Sequence, residues 1–135
     1  SERVPGLSFV QKLTPDSDKQ QIAHYAVQLA ESIGAKGTVV ITRRGYMADF
    51  VTNCHPQKSR IYAFSNDSQT RRRLVLNRNV SPYRIAFSQD PEKTLTSAFK
   101  LLKSKAGLDS DDKVVVISDM LSDQGIEAIQ VRKLP

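Results

Sequence analysis

Residues 113–118 read Lys-Val-Val-Val-Ile-Ser, a run with no polar face. Successive side chains of a strand point to opposite sides of a sheet, so a strand of this composition has to be covered on both sides. That excludes a sheet with one face in water and asks for helices above and below it.

The rest of the chain supplies those helices in alternation with further strands. Asp16 or Ser17 can cap a first helix with Ile22, Ala26, Leu29, Ala30 and Ile33 along one face, and Gly34 ends it. A strand is expected over 38–41, then a short helix over 46–53 that Pro56 closes off. Residues 60–64, Arg-Ile-Tyr-Ala-Phe, form the next strand. Asn66, Asp67 or Ser68 caps a helix running through 71–78, and a strand follows Pro82 over 83–87. Asp90-Pro91 is a cap followed by proline at the first helical position, and it opens a helix with Leu95, Ala98, Phe99 and Leu102 as its apolar stripe. Gly107 ends that helix, 113–118 follows, and a last strand lies over 127–131. Residues 119–126 are too few for a helical crossover, which takes about a dozen or more, so the last strand should run antiparallel beside 113–118. The pattern defines an α/β fold: a three-layer open sheet of five strands, four parallel and the last antiparallel, with helices on both faces. Residues 1–15, broken by Pro5, Gly6 and Pro15, read as a lead-in or linker, and 16–135 as one domain.

Length and composition agree with one globular domain: 135 residues, 39% hydrophobic and 25% charged. No apolar run is long enough to span a membrane and no N-terminal stretch has a signal-peptide layout, so no membrane partner is expected. Cys54 is the single cysteine, which rules out an intrachain disulfide and makes the cytoplasm the default compartment. The net charge of +6 would suit nucleic acid, a membrane surface or a phosphorylated small molecule. The basic residues are dispersed, however, and the one run, Arg71-Arg72-Arg73, has no interleaved aromatics for base stacking. Nucleic acid is therefore not an expected partner. The run reads as a solvated helix face, with a partner site as the alternative.

Chemistry concentrates where the first strand breaks into a turn and opens a helix. Backbone N–H groups at a helix start favour an anion. Thr42, Arg43, Arg44, Gly45 and Tyr46 occupy that turn: two fixed positive charges, and a glycine that lets a ligand approach the backbone. In open α/β sheets, ligands bind beyond the carboxyl ends of the strands. The loop after 113–118 carries Asp119, Ser122, Gln124 and Gly125, and both loops flank one crevice if the first and fourth strands are neighbours. Two ordinary polar loops would look the same. Neither a dinucleotide glycine fingerprint nor a P-loop occurs.

No catalytic set is visible. His24 lies among polar positions of the first helix, and His55 follows Cys54 just before Pro56. Cys54 reads as a small packing residue and His55 as a residue at a helix end. Asp111 and Asp112 read as turn residues, and Tyr62 and Tyr83 as packing residues in strands. No His, Cys, Asp or Glu group has metal-ligand spacing, so no cofactor and no metal is expected on this chain. An independent small enzyme using Asp119 or Cys54 would need partners that the sequence does not place nearby.

Several stretches together resemble the C-terminal domain of pyruvate kinase: Ile33-Gly34-Ala35-Lys36 running into Val39-Val40-Ile41-Thr42 and Gly45; His55-Pro56; Ile61 through Asp67 with Thr70, Arg72, Arg73, Leu74 and Pro82; and Val114-Val115-Val116-Ile117-Ser118. The middle block is the most specific. The resemblance implies a regulatory and oligomerisation domain, itself non-catalytic, of a glycolytic enzyme that transfers phosphoryl from phosphoenolpyruvate to ADP. It implies a catalytic barrel in the same parent chain, with magnesium and potassium at work there, a homo-oligomer, and a sugar-phosphate effector in some members. Of the turn, Thr42 and Gly45 fit the family's hydroxyl-rich pattern, while Arg43, Arg44 and Tyr46 depart. In the later loop Gly125 fits, and Asp123 would repel a second phosphate. The alternative is a stand-alone domain of the same fold that binds a phosphorylated metabolite.

Overall fold

The computed structural model describes residues 15–42, 45–54, 59–118 and 129–135, and for residues 15–18 and 46 the backbone alone. The elements in chain order are α1 (Pro15–Ile33), β1 (Gly37–Ile41), α2 (Tyr46–Asn53), β2 (Arg60–Ser65), α3 (Ser68–Leu74), β3 (Val80–Arg84), α4 (Pro91–Lys105), β4 (Lys113–Ser118) and β5 (Ile129–Lys133). They build one five-stranded sheet in the order β3-β2-β1-β4-β5. The pairs β1–β2, β1–β4 and β2–β3 are parallel, and β4–β5 is antiparallel, with Lys113 opposite Lys133 and Ile117 opposite Ile129.

The chain walks outward from β1 to β2 to β3, then returns across the sheet to β4. Crossovers between parallel strands keep one hand, so reversing the direction of travel moves the connecting helix to the opposite face. Accordingly α1, α2 and α3 contribute Ala26, Met47, Val51 and Leu74 to one core layer, against Val40, Ile61, Ala63, Val115 and Ile117 of the sheet. Helix α4 contributes Leu95, Ala98, Phe99 and Leu102 to the other, against Val39, Ile41, Phe64, Val114 and Val116. Every residue of β1 is buried, and β4 is buried from Val114 onward, as a strand covered on both sides requires. Gly37 admits the chain to this packing: a Cβ there would stand 2.6 Å from the Arg60 carbonyl and 2.6 Å from the Tyr62 ring.

Several boundaries differ from the sequence reading. Pro15, expected to be a breaker, is the first residue of α1, where its missing N–H has no intrahelical partner to lose. Helix α3 stops at Leu74 instead of reaching residue 78, and the chain turns through residues 75–79. Strand β3 consequently runs from Val80 to Arg84 and contains Pro82, where a strand had been expected over 83–87, after the proline. Pro82 is tolerated because β3 is an edge strand. The Ile85 N–H and the Asn79 carbonyl bond inward to β2, so the alternate position 82 faces outward, where no ladder bond is lost. Strand β5 begins at Ile129; residues 127 and 128 of the expected strand lie outside the described residues.

Candidate anion-binding site

Parallel pairing puts the carboxyl ends of β1, β2 and β4 side by side, with Ile41 opposite both Phe64 and Ser118. The connection from β1 leaves to one side and β4 lies on the other, so this is where the strand order reverses and where an open α/β sheet offers a crevice. Of the expected site, Thr42, Gly45 and the backbone of Tyr46 fall in described positions. Arg43, Arg44, the Tyr46 side chain, and Ser122, Gln124 and Gly125 with Asp119 and Asp123 lie outside the described residues.

Thr42 is fully buried. Its N–H donates to the Phe64 carbonyl at 2.9 Å, and its Oγ1 accepts from the Gly45 N–H, also at 2.9 Å. This hydroxyl folds the turn back on itself. It also engages one of the backbone donors that the sequence reading had left to a ligand. Gly45 then turns at φ 84°, a conformation that costs an L side chain energy, and α2 begins.

The turn also has a neighbour that the sequence did not reveal. A Cβ on Gly45 would collide with the Arg73 guanidinium and lie 3.0 Å from Thr70 Cγ2. Arg73 Nη1 donates to both carboxylate oxygens of Asp49, at 2.9 and 2.7 Å. Asp49 sits in the first turn of α2, where a carboxylate complements the helix dipole. Both side chains are partly exposed, so the pair contributes no more than about 0.2–1 kcal/mol. Its effect is to place one positive and one negative charge beside the turn. The Arg71-Arg72-Arg73 run is thus not a uniformly solvated face. Consecutive helical residues point about 100° apart, so the three guanidiniums diverge: Arg73 toward α2, and Arg71 to the Ser65 carbonyl at 3.0 Å.

Helix α3 is anchored by Asp67, whose Oδ2 accepts from the Thr70 N–H at 3.1 Å and from Thr70 Oγ1 at 2.6 Å. The Thr70 side chain first, and then its backbone N–H, hold the Asp67 carboxyl below its ordinary 3.8. A group whose pKa is lower in the folded state stabilises above its unfolded value, and that contribution disappears as the pH falls through the folded one. Asp67→Ala should therefore lower the thermal midpoint by roughly 2–5 °C at neutral pH, a typical cap loss for a chain of this size. The gap from the wild type should close as the pH is taken below 3.8. Midpoints measured by circular dichroism from pH 7 to 2.5 test this; a gap that stays constant to the acid end would deny Asp67 its charged role.

The remaining sequence candidates are structural where they are described. His24 is exposed and meets the Tyr25 ring edge-on at 5.4 Å. Cys54 packs against the α1–α3 core layer, its Sγ donates to the Phe50 carbonyl at 3.2 Å, and burial pushes its thiol pKa up, away from nucleophilic use. His55 lies outside the described residues. Asp111 and Asp112 are turn residues, Asp111 at φ 71°. Tyr62 is buried, and Tyr83 stacks on Phe64 at 5.5 Å. Among the described residues no three His, Cys, Asp or Glu side chains converge on a point that would hold a metal, and no helix is long and apolar enough to cross a membrane.

A five-stranded mixed sheet with, among the described residues, three helices on one face and one on the other defines an α/β domain of the open, doubly covered class. Residues 20–131 match the model of the family described as pyruvate kinase, alpha/beta domain, and the chain belongs to that family. It is 35% identical over 120 residues to pyruvate kinase isozyme A, chloroplastic, of Ricinus communis, and 34% identical to the isozyme of the same name from Nicotiana tabacum. Each match takes in 89% of this chain but 20% and 19% of the relative, so the chain spans about a fifth of their length. Pyruvate kinase of Cryptosporidium parvum, solved in complex with ADP, shares the fold with a TM-score of 0.78 at 22% identity, over 87% of this chain and 24% of that one.

Proposed function

We propose that this chain is the regulatory and oligomerisation domain of a pyruvate kinase, itself non-catalytic, with an anion site at the Thr42–Tyr46 turn. The observation that carries the reading is the family match over residues 20–131, on a domain that is a fifth of its relatives' length and whose strand order reverses between β1 and β4. The parent would supply the catalytic barrel, and phosphoryl transfer from phosphoenolpyruvate to ADP would belong there. Such transfer relies on metal ions and a cationic clamp around the moving group. The magnesium and potassium that the family implies would, in this reading, act in the parent's other domains.

Self-association has a surface to use. Strand β5 ends the sheet on one side and exposes Val131, and an open edge is a place for another chain to pair. The compartment is a reducing one in this reading: the cytoplasm, or the chloroplast that the relatives' names give. One experiment addresses catalysis and assembly together. The purified 135-residue chain, assayed with phosphoenolpyruvate, ADP, magnesium and potassium, should give background turnover only, and light scattering of the same sample should report a mass above the monomer. Turnover proportional to added protein would overturn the non-catalytic reading, and a strict monomer at high micromolar concentration the assembly reading. The stand-alone alternative predicts a reading frame with no barrel upstream.

A further inference from the structure

Helix α3 has a second face, turned away from Gly45. Between it and β3 lies an open cleft of ≈ 440 Å³, large enough for a metabolite. Arg71, Arg72 and Arg84 supply its charge, and Val75 and Pro82 its apolar wall. Among the described residues no carboxylate lines it. Each side is held in place. Arg71 is tied to the Ser65 carbonyl at 3.0 Å, which sets its guanidinium at the carboxyl end of β2, and β3 is pinned from the opposite face of the sheet by Tyr83, whose ring stacks on the buried Phe64 at 5.5 Å. Arg84 stands opposite Ser65 in the strand register, so the cleft opens at the same end of the sheet as the turn but one and two strands farther out.

We propose that this cleft is a second anion site, which takes a phosphorylated small molecule with an apolar or aromatic body. Three arginines lining one cleft with no acid among its described lining residues favour a dianion over a single carboxylate, and the planar donor fork of arginine fits phosphate oxygens. Val75 and Pro82 add an apolar surface beside the charge, which inorganic phosphate alone leaves unused. The outward position of Pro82 presents no N–H, so an added β-strand would find a donor missing there, which favours a compact ligand over an extended peptide.

The test uses phenyl phosphate and inorganic phosphate as probes of the intact chain, followed by amide chemical shifts. Phenyl phosphate should move the amides of residues 83–84 and 71–75 at concentrations at least about threefold below those that inorganic phosphate requires. Arg72→Gln/Arg84→Gln should weaken it at least tenfold. Both positions are exposed, so the fold should survive, and unchanged shifts elsewhere in the sheet check this. Arg43→Ala/Arg44→Ala should leave these shifts in place, which separates the cleft from the turn site. Equal titrations for wild type and Arg72→Gln/Arg84→Gln, or perturbations that disappear only in Arg43→Ala/Arg44→Ala, would overturn the proposal. Inorganic phosphate binding as tightly as phenyl phosphate would remove the apolar part of the ligand class.

Discussion

Phe64→Ala destabilises the domain by about 3–5 kcal/mol. Phe64 is fully buried in β2, next to the sheet edge, and belongs to the core layer that α4 closes with Leu95, Ala98, Phe99 and Leu102. Truncation removes a ring's worth of apolar burial, opens a cavity under α4 and leaves Tyr83 without its stacking partner at 5.5 Å. Small domains are stable by only about 5–15 kcal/mol, so the variant should sit close to the unfolding limit. Urea unfolding followed by far-UV circular dichroism measures it as a lower midpoint with a similar slope. Leu76→Ala is the control: Leu76 is 81% exposed, and its loss should change stability by no more than about 0.5 kcal/mol. A Phe64→Ala cost below about 1.5 kcal/mol would mean that α4 collapses onto the gap, and that the second core layer is looser than its burial suggests.

The same residues explain what could be read in the chain before folding. The α4 stripe and the uniformly apolar β4 were legible because helical spacing and a faceless strand each permit one environment. The antiparallel β5 followed from the arithmetic of a short link. Two kinds of information were not local. The end of α3 at Leu74 has no glycine or proline to announce it; it is imposed because Val80 has to reach the core as the first residue of β3. Pro82 looked like a barrier since nothing in the sequence says that β3 is an edge strand with that position turned outward. At the candidate turn, Thr42 and Gly45 were singled out from their place between a strand and a helix, whereas nothing in the sequence pointed to Arg73 and Asp49 as their neighbours. They are 24 residues apart, and only the packing of α3 beside α2 brings them together.

Arg43→Ala/Arg44→Ala should weaken the binding of a singly phosphorylated sugar at the turn by at least about tenfold. Each partly buried arginine–phosphate hydrogen bond is worth on the order of 1.5–3 kcal/mol, and 1.4 kcal/mol is a factor of ten. The described part of the turn makes this dependence steeper than a bare helix start would. The Gly45 N–H is already donated to Thr42 Oγ1, so fewer backbone donors remain for an anion. The carboxylate of Asp49 stands in the first turn of α2 and opposes a second negative charge, while its partner Arg73 is engaged by both of its oxygens. Charge supplied by Arg43 and Arg44 has to outweigh that carboxylate. Asp49→Asn should accordingly tighten binding in the wild-type background, and the gain should fade as salt is raised, since part of the opposition is screened. With Asp123 also near the crevice by sequence, a monophosphate should bind better than fructose 1,6-bisphosphate. Calorimetry with both ligands on the wild type, the double arginine variant and Asp49→Asn reads all three effects. Identical titrations for the wild type and the double variant would remove the turn as a binding site, and tight binding of the bisphosphate would show that the acidic groups do not face the ligand.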